Sequence, residues 1–171
     1  LFEGVVDMFR MQAASKGLTL HLELSDRLPR YARTDEPRLR QMLINLVSNA
    51  IKYTETGGAT VVVGYRSQVA DIEVRDTGPG ISPEDVERIF QPFERGSGPE
   101  TQRQPGIGLG LAITRALARI MGGEIDVTSP PGEGSSFRLR LLLPALANPA
   151  SVSREQAGRL VGYEGPARTI L

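Results

Sequence analysis

Apolar and polar positions recur along the chain with two periods, and the switches between them predict its elements. Leu1, Val5, Met8, Phe9 and Gln12-Ala13 fall at helical spacing over residues 1–16, and Gly17 is placed to stop that helix. Leu18, Leu20, Leu22 and Leu24 then alternate with Thr19, His21, Glu23 and Ser25, a half-buried strand that turns His21 away from the leucine face. Over residues 35–54 the helical period returns. Leu39, Leu43, Leu46, Val47 and Ala50 make one apolar stripe, Thr34 or Asp35 can cap, and Pro37 is tolerated in a first turn whose N–H groups lack partners anyway. Residues 60–66 and 69–75 read as antiparallel strands joined at Ser67-Gln68, and residues 83–90 as a short helix capped by Ser82 with Asp85 at its third position. A further helix, with Leu109, Ile113, Ala116, Leu117 and Ile120 on one side, ends at Gly122-Gly123. Ile125 and Val127 mark a strand, and residues 135–143 form the last one.

Candidate chemistry lies on the polar positions of this pattern. Asn45, Asn49, Lys52 and Tyr53 share one face of the 35–54 helix, apart from its apolar stripe. A solvated helix side would look similar, but asparagine is a poor helix former and neither amide has a cap to make. Two amides and an ammonium on one face suit a Mg²⁺–triphosphate. On the strand after Ser67-Gln68, the period of two places Asp76 on the same inward face as Ala70, Ile72 and Val74, where a carboxylate is costly unless a donor meets it. Thr77-Gly78-Pro79-Gly80-Ile81 follows, a backbone able to approach a flat ligand whose exocyclic amine donates to Asp76. Residues 94–106 carry no aliphatic or aromatic side chain and are expected to form a mobile lid. They run into Gly106-Ile107-Gly108-Leu109-Gly110-Leu111 at a helix start, where backbone N–H groups and the helix dipole can meet an anion. The spacing is neither that of a P-loop nor that of a dinucleotide-binding fingerprint. Ser135 shares parity with Phe137, Leu139, Leu141 and Leu143, which points its hydroxyl to the interior that Asp76 faces.

Composition narrows the classes. The 171 residues allow one well-buried domain with a short appendage. Twenty basic and twenty acidic side chains cancel, so charge gives no support to a nucleic-acid or anionic-membrane partner. Without cysteine there is no disulfide or thiolate metal site, and a single histidine excludes a His-rich one. No apolar run approaches the roughly 20 residues that span a bilayer. The first residue is not methionine and lies within a helical pattern, so the chain is expected to be a fragment.

Five blocks, in order, carry a resemblance to sensor histidine kinases. Residues 45–54, with Asn45, Asn49, Lys52 and Tyr53, resemble the N box. Asp76-Thr77-Gly78-Pro79-Gly80 resembles the first glycine box, and Ile89-Phe90-Gln91-Pro92-Phe93 the F box. Residues 106–111 and 132–137 are similar to the second and third glycine boxes. The resemblance covers residues 1–145 and implies an α/β sandwich, the Bergerat ATP-binding fold: a mixed sheet of about five strands under about three helices, with an ATP lid over residues 94–106. It implies ATP and Mg²⁺ as ligands. Asn49 would hold the metal, Asn45 and Lys52 would contact phosphate or metal-bound water, and Tyr53 would pack beside the nucleotide. Asp76 would take the adenine amine, with a water held by Ser135, while Gly78, Gly80 and Ile81 would border the base. Gly106, Gly108, Leu109, Gly110 and Leu111 would hold phosphates, and Arg95 would lie near the triphosphate.

Hydrolytic relatives of the fold carry a glutamate where this chain has Asn45. An amide cannot take a proton from water at neutral pH, so transfer to a partner is favoured over hydrolysis. The phosphoacceptor box of the family is absent, because His21 lies in a strand and is followed by Leu22. Residues 1–16 would therefore be the end of a dimerisation hairpin or a connecting helix, and 17–145 the catalytic domain. Residues 146–171 would be a linker. Arg168-Thr169-Ile170-Leu171 resembles the entry to a receiver domain, as in hybrid kinases. The expected partners are a histidine-bearing dimerisation domain of the same protein, in a homodimeric cytoplasmic or membrane-anchored parent, and a receiver domain in the same polypeptide. The competing readings are an ATP hydrolase of this fold and a degenerate binding module.

Overall fold

Both periods are realised in the computed structural model of the chain, which describes residues 1–96 and 106–146. Helix α1 (Phe2–Ser15) leads into strand β1 (Thr19–Leu24), α2 (Glu36–Tyr53), β2 (Gly58–Arg66) and β3 (Val69–Asp76). After a 3-10 turn (Arg88–Phe90) come α3 (Gly110–Ile120), β4 (Glu124–Thr128) and β5 (Ser135–Leu142). The strands form one mixed sheet in the order β1-β2-β3-β5-β4, with β1 parallel to β2 and the other neighbours antiparallel. One face is apolar: Val61 and Val63, then Ala70, Ile72 and Val74, then Leu139 and Leu141 are all almost wholly buried. The helices cover that face, and Leu39, Met42, Leu43, Leu46 and Ile51 of α2 supply its centre. The two-layer α/β sandwich is the fold expected from the sequence.

Local chemistry explains most element boundaries. Asp35 caps α2, its carboxylate accepting from the Arg38 N–H at 3.1 Å, and Pro37 stands in the first turn. Ser67 and Gln68 take φ of 51° and 64°, the left-handed pair that a two-residue hairpin needs to match strand twist. At the end of the domain Ala145 bridges Ala32, and the Arg33 N–H donates to Pro144 O at 2.9 Å. The loss of apolar period after Pro144 therefore does not end the ordered chain, because backbone pairing needs no apolar side chain.

Three expectations change. In α1 the buried residues are Val5, Val6, Phe9 and Ala13, whereas Met8 is 60% exposed and Leu1 37%. Phe2, Val6, Phe9 and Ala13 fit the same spacing, and the bulkier aromatic pair sets the inward side. Residues 83–90 are not a regular helix. The Ser82 cap forms, to the Asp85 N–H at 3.3 Å, but only a turn and the 3-10 segment follow. In α3 the inward side is Leu111, Thr114, Ala118 and Met121, while Ile113, Ala116 and Ile120 are exposed. The apolar side that its period marks, away from Arg115 and Arg119, is left in the open, and the buried side is the one that carries Thr114.

The sheet's other face carries an ion-pair network centred on Glu73. Arg75 reaches its carboxylate at 2.6 Å, the Ser136 hydroxyl donates at 2.5 Å, and Arg138 donates at 3.2 Å. The Arg75 bond, with help from Ser136 and Arg138 and against the cost of burial, holds the carboxyl down at about 2. A carboxylate lowered on folding stabilises the protein above its unfolded value and loses that contribution as pH falls from 4.5 towards 2. With the arginines half-exposed to solvent, screening discounts the contribution to about 1–2 kcal/mol. Glu73→Gln is expected to lower stability at pH 7 and to flatten the stability–pH curve over that window, measured by urea unfolding.

Candidate functional site

Asn45, Asn49, Lys52 and Tyr53 line one wall of a cavity of about 670 Å³. They reach it because α2 buries its apolar stripe on the sheet and leaves this face to the side. The last turn of α2 is held from below: the Lys16 ammonium donates to Ile51 O at 2.8 Å, Lys52 O at 3.0 Å and Thr54 O at 3.3 Å. These are carbonyls that a helix C-terminus leaves without intrahelical partners, and a cation there also complements the dipole. The Lys52 ammonium lies 4.8 Å from the centroid of the Tyr53 ring.

The sheet contributes the floor. Asp76 pairs with Ala59 on one side and Ser135 on the other, so it points into the sandwich as its parity requires. Its Oδ1 accepts from the Gly78 N–H at 2.9 Å and the Ser135 N–H at 3.3 Å. Burial pushes the carboxyl above its ordinary value, and those two N–H groups oppose the rise. Both donors fall on one oxygen, which leaves Oδ2 for a ligand. The Ser135 hydroxyl lies 2.8 Å from that of Ser129, and the Ser129 hydroxyl donates to Gly134 O at 3.1 Å. The Ser129 proton is thus committed, Ser135 donates to Ser129, and Ser135 Oγ remains an acceptor on the cavity side.

The third wall is the loop into α3. Gly106, Gly108, Leu109, Gly110 and Leu111 all line the cavity, with Gly80, Ile81 and Arg95 around the rest. Among the described residues no side chain caps α3, which leaves its first N–H groups for a ligand at the cavity. Gly108, at φ +77°, lets the two ends of the expected lid touch: its carbonyl accepts from the Phe93 N–H at 3.1 Å, and a Cβ there would stand 2.7 Å from Glu94 O. Residues 97–105 of that lid lie outside the described residues, as do residues 147–171 of the expected linker and receiver lead. Gly110 meets Asn45 so closely that a Cβ would collide with Asn45 Oδ1.

Fourteen of the fifteen residues expected at the site therefore converge on one cavity; Gly78 does not line it and instead holds Asp76 from behind. Asp85, which is 2% exposed, and Ile89 also border the cavity. The sequence marks Asp85 only as part of a short helix and Ile89 as part of that helix and of the F box, since an irregular turn has no period to show which side chains point inward. Thr114 was missed too. Among the described residues no cluster of three or more His, Asp or Glu could hold a metal, and no helix is long and apolar enough to cross a membrane.

Comparison with known proteins decides the family. The family described as histidine kinase-, DNA gyrase B- and HSP90-like ATPase matches residues 34–145. The chain belongs to that family. It is 43% identical over 143 residues to the aerobic respiration control sensor protein ArcB of Escherichia coli K12, covering 80% of this chain and 18% of ArcB. It is 41% identical over 151 residues to the histidine protein kinase DivJ of Caulobacter vibrioides, covering 86% of this chain and 24% of DivJ. Among solved structures, full-length ShkA in complex with AMPPNP matches with a TM-score of 0.75 and 34% identity, over 86% of this chain and 30% of that one. The catalytic domain of the histidine kinase ThkA matches with a TM-score of 0.70 and 28% identity, over 82% of this chain and 90% of that domain. The chain thus spans less than a quarter of the curated relatives ArcB and DivJ, and nearly all of an isolated kinase catalytic domain.

Proposed function

We propose that this chain is the ATP-binding catalytic domain of a hybrid histidine kinase and transfers the γ-phosphoryl group of ATP to a histidine on a dimerisation domain of the same protein. The observation that carries the reading is one cavity that joins a half-buried carboxylate, Asp76, to two amides, an ammonium and a helix start that no described side chain caps. Asp76 Oδ2 accepts from the adenine amine, Ser135 Oγ accepts from a water beside it, and Gly80 and Ile81 border the ring. At the other end Lys52, Arg95 and the N–H groups at the start of α3 take the phosphates.

The donor set fits Mg²⁺. Its protein side is amide oxygen from Asn49, with Asn45 adjacent and no carboxylate cluster among the described residues, which suits an ion bound largely through substrate phosphates and water. When bound, the ion would neutralise charge on the phosphates. Lys52 and the α3 N–H groups add to that neutralisation from fixed positions, which is the main contribution a protein makes to phosphoryl transfer. In the transfer the bond from the γ-phosphorus to the bridging oxygen breaks, ADP leaves with the electron pair, and a phosphorus–nitrogen bond to the imidazole forms as its N–H proton is lost. Asn45 offers water no base, which disfavours hydrolysis. A receiver domain in the same polypeptide would take the phosphoryl group next, a reading supported by the resemblance of Arg168-Thr169-Ile170-Leu171 to a receiver-domain entry.

Asn49→Ala tests the metal assignment. It is expected to leave metal-free binding of a non-hydrolysable ATP analogue nearly unchanged and to remove most of the gain that Mg²⁺ brings, measured by titration calorimetry with and without the ion. An undiminished Mg²⁺ gain would place the ion elsewhere.

A further inference from the structure

We propose that Thr114 is a positioning residue that fixes the amide of Asn45 with its oxygen towards the cavity. On this assignment Asn45 serves the metal ion or its water and does not serve a phosphate. The inference rests on the nucleotide-binding reading above. Thr114 is 1% exposed, in the second turn of α3. Its Oγ1 stands 3.0 Å from Gly110 O and 2.7 Å from Asn45 Nδ2. A carbonyl only accepts, so the single hydroxyl proton of Thr114 goes to Gly110 O, and Oγ1 is left with lone pairs for any other neighbour. The group that Asn45 turns to it must then be the NH₂. This removes the usual ambiguity of an amide, whose two ends are nearly equal in shape.

The amide oxygen lies closest to the space that Gly110 leaves by having no Cβ, with the nitrogen turned to Thr114, and both Asn45 and Gly110 line the cavity. Phosphate oxygens are acceptors and repel an amide oxygen, whereas a divalent cation and the waters around it attract one. The same bonds explain why α3 turns Thr114 inward and leaves Ile113 in solvent. Valine has the shape of threonine but no acceptor, and would leave the amide free to turn over.

Two measurements on the chain test this. In the nucleotide-free protein, the Asn45 side-chain NH₂, followed by ¹⁵N NMR, should show one proton protected from exchange; the protection should vanish in Thr114→Val and persist in Thr114→Ser. With AMPPNP as the probe, the ratio of affinities with and without Mg²⁺ should fall about three- to tenfold in Thr114→Val, the worth of one hydrogen bond, and stay within about twofold of the parent in Thr114→Ser. A wild-type amide that exchanges like an exposed one overturns the proposal even if Thr114→Val does not fold. So does a valine variant with an unchanged Mg²⁺ ratio, or a serine variant as impaired as the valine one. Failure of the wild type to bind AMPPNP at all would instead overturn the nucleotide reading, and would leave the amide result standing.

Discussion

Asp76→Asn is expected to weaken binding of an ATP analogue by about 1.5–3 kcal/mol, roughly 10- to 150-fold. The variant keeps an oxygen for the Gly78 and Ser135 N–H groups, which both donate to Oδ1. It replaces Oδ2, the proposed charged acceptor for the adenine amine, with an NH₂ that would compete with it. Stability should move the other way. Burial raises the Asp76 carboxyl on folding, so the folded state carries a penalty for the charged form at neutral pH. An uncharged amide of the same shape removes that penalty, and the nucleotide-free variant should be at least as stable as the parent. Calorimetry and urea unfolding on the same sample check both halves. An unchanged dissociation constant would remove Asp76 from the base pocket, and a large loss of stability would make it a structural residue.

Gly110→Ala should reduce phosphoryl transfer about 100-fold, the order expected when a site is displaced by an ångström. The added Cβ would collide with Asn45 Oδ1 and stand 2.8 Å from its Cγ and Nδ2. Either the Asn45 side chain swings out of the cavity or α3 withdraws and carries its first N–H groups with it. Helix propensity alone predicts the reverse, a gain smaller than the roughly 1 kcal/mol of a helix interior because Gly110 is the first helical residue. A variant that is folded but nearly inactive therefore identifies close packing as the reason for this glycine. Activity within a fewfold of the parent would contradict the placement of Asn45 against the start of α3.

The strands and α2 were legible in the sequence because each has one wet side and one dry one. Ala70, Ile72 and Val74 are completely buried as their alternation required, and the same parity placed Asp76 correctly one pair beyond them. The elements read differently fail for other reasons. Helix α3 has a polar side, Arg115 and Arg119, and an apolar one, Ile113, Ala116 and Ile120, yet it buries the side between them, set by Thr114, whose partners Asn45 and Gly110 are distant in sequence or hidden in the backbone. Residues 83–90 have a correct cap and then too few residues to propagate a helix. At the site, the resemblance of ordered blocks brought together fourteen lining residues, while Asp85 and Thr114 escaped because neither belongs to a block or a period. Which oxygen of Asp76 is free, and which way the amide of Asn45 is turned, are set by tertiary hydrogen bonds that no spacing reveals.

The central claim is transfer of the γ-phosphoryl group to a histidine outside this chain. The most direct measurement mixes the chain with γ-labelled ATP, Mg²⁺ and the histidine-bearing dimerisation domain of its parent, and follows label by gel and by its acid lability. Acid-labile label should appear on the dimerisation domain only when this chain is present, with none on the chain by itself and little free phosphate released. Label on the chain alone, above all on His21, or rapid release of phosphate without any partner, would contradict the account.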